Sequence, residues 1–85
     1  MTILKGNNMM TLAESDVYEI DYKNACKVSI INNSDSVTYV SDTATGLGRD
    51  SSRLAIESGT AANEIKLTSG KLYVQTGGNV SIVRC

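Results

Sequence analysis

A serine or cysteine nucleophile needs a positioned base, and this chain contains no histidine. The nearest substitute is a serine–lysine pair such as Ser69 with Lys71, which a Ser-rich sequence produces by chance. Paired carboxylates could support glycoside hydrolysis. Glu19 and Asp21 share one phase of a strand-like run, and Glu57 and Glu64 flank a loop. Neither pair comes with a cleft-forming segment, so both read as solvated charge that keeps strands soluble. "TGLGRDSS" (45–52) echoes a G-x-G-x-x-S phosphate loop but lacks the strand-to-helix context and the lysine that such loops use. Asp42 and Asp50 bracket that stretch at a spacing unlike an EF-hand calcium loop. With two cysteines, Cys26 and Cys85, a zinc cluster is excluded. No cofactor, no metal and no catalytic residue is expected.

The elements that would carry these residues have a period of two. Tyr18, Ile20 and Tyr22 alternate with Glu19 and Asp21; Cys26, Val28 and Ile30 alternate with Lys27 and Ser29; Val37 and Tyr39 alternate with Ser36 and Thr38. Leu54 and Ile56 flank Ala55, and Ile65 and Leu67 flank Lys66. Such alternation marks half-buried strands, here 17–22, 26–31, 36–41, 53–57, 63–68, 71–76 and 80–84. "NNSDS" (32–36) is turn chemistry. The expected fold is all-β, a small antiparallel sandwich or barrel of about seven short strands. At the C-terminal end, hydrophobic register predicts a meander. A Ser69-Gly70 turn would set Leu67 opposite Leu72, and a three-residue Gly77–Asn79 turn would set Val74 opposite Ile82. Tyr18, Tyr22 and Tyr39 are expected in the core, and Tyr73 outside it.

An 85-residue chain forms one domain and buries only roughly 60–65% of its unfolded surface, so oligomerisation is the natural route to added stability. The net charge of −1, without a basic stripe, argues against nucleic acid as a partner. No apolar run has the length of a signal peptide or a membrane span. The expectation is a soluble chain used without Sec-type export, in which the sequons at Asn32 and Asn79 have no role. Cys26 reads as a small buried hydrophobe; a Cys26–Cys85 bridge is the alternative, and it requires the last strand to lie beside the strand carrying Cys26. The expected organisation is an N-terminal arm, 1–15, before a β domain, 16–85. The arm's Ile3, Leu4, Met9, Met10 and Leu12 either cap the domain or dock on a neighbouring strand edge. The connector 43–52, with Leu47 and Arg49, is the first candidate contact loop, and Tyr73 is a further interface candidate.

"SIINNSDSVTYVSD", "LAIESG" and "GKLYVQTGGNVSIVRC" together resemble small accessory virion proteins of tailed bacteriophages, over residues 26–85. The resemblance implies a role in capsid decoration, a head fibre or the tail. It implies the major capsid protein or another virion protein as partner, a homo-oligomer, synthesis in the host cytoplasm and residence in the virion. A tail- or fibre-associated carbohydrate-binding module is the alternative. The residues fit either reading, since a chain without histidine or cleft-building length suits a rigid platform better than a reaction vessel.

Overall fold

The computed structural model describes residues 1–48 and 53–85. The chain is a small β-sandwich. Its strands are β1 (Thr2–Lys5), β2 (Met9–Leu12), β3 (Asp16–Asp21), β4 (Cys26–Asn32), β5 (Thr38–Ser41), β6 (Leu54–Ile56), β7 (Ala61–Leu67), β8 (Lys71–Thr76) and β9 (Val80–Arg84). One helical turn, α1 (Ala44–Leu47), follows β5. The strands form a five-stranded sheet, β1-β3-β8-β5-β6, packed on a four-stranded sheet, β2-β9-β4-β7. All pairings among the described residues are antiparallel except β1 with β3, which is parallel.

Alternation builds the core as expected. Tyr18, Ile20, Val28, Ile30, Leu67, Leu72, Val74, Val80 and Ile82 are all buried between the sheets, with Tyr22 beside them. Each such aliphatic side chain contributes about 1.5–3 kcal/mol by leaving water. The C-terminal meander does not form. Its residues face inward as predicted, but β7 lies in the four-stranded sheet against β4, β8 lies in the other sheet between β3 and β5, and β9 returns beside β4. Leu67 and Leu72, and likewise Val74 and Ile82, belong to opposite sheets instead of pairing across hairpins. A strand with one buried face satisfies its pattern in either sheet, so parity does not name its neighbour. The Gly77–Asn79 connection has three residues, with Gly78 and Asn79 at φ +106° and +61°, and it joins two sheets.

Strand β5 runs in the opposite phase to the expected one. Thr38 and Val40 point inward and Tyr39 outward. Thr38 and Thr76 are cross-strand neighbours whose hydroxyls meet at 3.0 Å, and Thr76 Oγ1 also accepts the Gly78 N–H at 3.1 Å. The burial cost of two hydroxyls is thereby met. Tyr39, correspondingly, receives the Arg53 guanidinium 3.7 Å above its ring.

Residues 2–12, expected as an arm, supply the two strands beyond the predicted seven. β1 and β2 are edge strands of the two sheets, joined by Gly6-Asn7-Asn8 along one flank. The crossing needs glycine: a Cβ at Gly6 would lie 2.2 Å from Cδ1 of Tyr22. Tyr22 in turn donates its hydroxyl to Met10 Sδ at 3.7 Å. Burial, with the nearby Cys26 adding to it and Arg84 opposing, pushes the Tyr22 phenol up to about 12.

At one end of the sandwich, the "NNSDS" turn is tied by Asn32, which is fully buried. Its Nδ2 donates to the carbonyls of Ser36 (2.9 Å) and Ile56 (2.7 Å), and its Oδ1 accepts from the Ser34 N–H (3.0 Å) and hydroxyl (2.6 Å). One side chain thus stitches β4 to β6 of the other sheet. No described buried side-chain polar atom is left unpartnered.

Candidate functional site

The residues singled out for chemistry do not converge. Lys71 lies opposite Asp21, which is itself opposite Lys5, so it belongs to a charged row of β1, β3 and β8. Ser69 is exposed in the preceding turn. Glu57 sits in a turn closed by the Thr60 N–H on its carbonyl, whereas Glu64 occupies a left-handed position (φ +55°) in β7. Among the described residues no three of Asp, Glu, Cys and His gather to hold a metal ion. Of the 43–52 connector, Thr43 caps α1 by accepting the Gly46 N–H at 2.9 Å, and Leu47 is buried. Arg49 and Asp50 lie outside the described residues.

Both cysteines are free. The adjacency that a bridge requires does exist, because the Cys85 N–H donates to the Lys27 carbonyl at 2.9 Å. Parity separates the two thiols. Cys26 packs against the core, whereas Cys85 stands on the outer face, its sulfur 3.4 Å from Ser29 Oγ.

What remains are surfaces. The outer face of the five-stranded sheet is charged and aromatic. Its register lines up Lys5–Asp21–Lys71, then Ile3–Glu19–Tyr73, then Val17–Gln75–Tyr39–Ala55. Partial burial, aided by a hydrogen bond with Glu19, raises the Tyr73 phenol above its ordinary value. At the strand ends, Thr2 Oγ1 donates to Asp16 Oδ2 and the Val17 N–H donates to Oδ1 at 2.7 Å. These two bonds hold the Asp16 carboxyl below the usual carboxylate range. Beside them a shallow polar groove of about 350 Å³ runs between Asp16, Ser36, Tyr39 and Gln75.

The outer face of the four-stranded sheet differs. Its central rows are Met9–Val83–Ser29 and Thr11–Ser81–Ile31–Ala61. Met9 is 77% exposed and Ile31 41%. Neither row contains a charge; Lys27 and Lys66, paired opposite each other, sit toward one end. The result is a central strip of apolar and small polar side chains.

The expected interface residues therefore scatter. Ile3 (66% exposed) and Tyr73 share a row of the charged face, with Glu19 between them, while Met9 belongs to the apolar face. Leu4 and Met10 turn inward and pack on the core, and Leu12 is part of it. Ile31 and Val83 were not anticipated. Their signal is the doubled apolar pair, Ile30-Ile31 and Ile82-Val83: in a strand, one member of such a pair must face outward. Tyr39 was placed in the wrong phase. No protein-family model matches the chain, and no curated protein matches it significantly.

Proposed function

We propose that this protein is a non-enzymatic structural component of a tailed-phage virion, a decoration module that binds the assembled shell in many copies. The observation that carries the reading is the pair of uncharged rows at the centre of the four-stranded sheet's outer face, where Met9, Val83 and Ile31 stand among Ser29, Ser81, Thr11 and Ala61, with the Lys27–Lys66 pair toward one end. Exposed apolar surface of this kind marks a protein contact. A rigid sandwich presents it without an ordering cost, and a repeating lattice multiplies weak contacts into stable attachment. The resemblance of residues 26–85 to accessory virion proteins supplies the lattice, with the major capsid protein as the partner. Quantitative mass spectrometry of purified particles tests this: the chain is expected at a copy number commensurate with the capsid lattice, and its absence from particles would contradict the reading.

A second reading has its own observation. Tyr39, its ring stacked against the Arg53 guanidinium, faces outward at the polar groove beside Gln75 and Asp16, polar groups suited to hydrogen-bonding a sugar of a tail- or fibre-associated module. Nuclear magnetic resonance titration with host surface glycans would then shift Gln75 and Tyr39 resonances, and a Tyr39→Ala change would abolish the shifts.

A further inference from the structure

The apolar face ends at β2, and β2 is an open edge. The Arg84 N–H donates to the Asn8 carbonyl at 2.9 Å. Bonded and non-bonded pairs alternate along an antiparallel ladder. With Met9 opposite Val83 and Met10 opposite Ile82, the bonded pairs are Asn8/Arg84, Met10/Ile82 and Leu12/Val80. The N–H and C=O groups of Met9 and Thr11 therefore point away from β9. Among the described residues they have no hydrogen-bond partner.

Such an edge is a template for another strand. The other three edges are guarded. β7 carries Lys66 and a left-handed Glu64 where its register with β4 shifts. β6 has three residues and starts beside Arg53. β1 ends in Lys5, and its Thr2 side chain is tied to Asp16. β2 has four residues, no charge and no bulge, and no charged side chain occurs from Gly6 to Ala13.

We propose that β2 pairs antiparallel with β2 of a second copy about a two-fold axis that passes between the two Met10 residues. The outward groups of Met9 meet those of Thr11 in the partner copy, and the reverse pair completes the set. The interface is isologous. No like charges are opposed, and the two four-stranded sheets become one. Met9 of each copy remains on the outer face, so the uncharged rows continue across the axis. The inference stands independently of the virion reading, because it concerns the free chain in solution.

The test is sedimentation velocity of the full chain over a dilution series, with residue-resolved amide exchange. Thr11→Pro removes a donor that the ladder with β9 does not use, a substitution an edge strand tolerates. The expected result is a concentration-dependent dimer in the native chain and a folded monomer for Thr11→Pro. The Met9 and Thr11 amides are expected to be protected in the dimer and to lose that protection on dilution. A native chain that stays monomeric throughout would overturn the proposal. So would a dimer that survives in folded Thr11→Pro, or one in which the Met9 and Thr11 amides exchange freely, as association through another edge or face would give. If Thr11→Pro fails to fold, sedimentation and exchange of the native chain decide the matter.

Discussion

The two outer faces of this sandwich share one core and differ in what they offer water. Across the five-stranded sheet, Lys5, Asp21 and Lys71 form a row of alternating charge, and Tyr73 hydrogen-bonds with Glu19. That face alternates charge with polar and aromatic side chains, which keep it soluble. Across the four-stranded sheet, Met9, Val83 and Ile31 stand among hydroxyls and an alanine. That face gains by being covered, because apolar area removed from water is favourable and there is little charge to desolvate. The contrast teaches that a small β domain can carry two outer faces of different composition over the same inward pattern.

Breaking what both faces share has the largest expected effect. Asn32→Ala removes the buried side chain that ties β4 to β6, and with it the four hydrogen bonds to the Ser36 and Ile56 carbonyls and to the Ser34 N–H and hydroxyl. The expected cost is about 2–4 kcal/mol, more than a single lost buried hydrogen bond, read as a drop in the urea midpoint by circular dichroism. Undiminished stability would show that the end of the sandwich is held by other contacts.

A smaller effect is confined to the five-stranded sheet. The Asp16 pKa is lowered in the folded state, so its contribution is present above the unfolded carboxylate pKa and is lost as pH falls through the folded one. Thr2→Val removes the larger of the two causes, the hydroxyl on Oδ2. In that variant Asp16 should titrate closer to an ordinary carboxylate, followed by its side-chain carbon resonance, and the acid loss of stability that it contributes should be smaller and complete at higher pH. An unchanged titration would mean that the Val17 N–H alone sets the shift.

The smallest effect belongs to the four-stranded sheet. Lys27 and Lys66 are directly opposed, and like charges so placed destabilise a sheet. Lys66→Glu should stabilise the fold by about 0.2–1 kcal/mol, with the gain shrinking at high salt. A salt-independent change would contradict an electrostatic origin.

How much of this was legible in the sequence depends on the kind of information sought. Alternation at Tyr18–Tyr22, Val28–Ile30 and Leu72–Val74 identified strands and their inward faces, because burial acts on parity. It did not identify partners, since Leu67 and Leu72 bury equally well in different sheets. The phase of β5 was misread because "VTYV" places an apolar residue at both parities, and a satisfied threonine pair with an Arg53-covered tyrosine decided between them. β1 and β2 escaped notice because each has four residues and the intervening "GNN" reads as a loop. The apolar face was half legible. Met9 was singled out as a contact residue, whereas Ile31 and Val83 were hidden behind buried neighbours.

The claim that contact is reserved to one face is tested most directly by rebinding to stripped particles. Met9→Lys and Ile31→Lys place charge on the uncharged rows, and Tyr39→Ala and Tyr73→Ala trim the aromatic rows of the opposite face. All four positions are solvent-facing or half-buried, so folding of each variant is checked by its thermal melt. The lysine variants are expected to lose particle binding while folded, and the two alanine variants to bind as the native chain does. Retained binding by folded Met9→Lys and Ile31→Lys, with loss in the tyrosine variants, would contradict that claim.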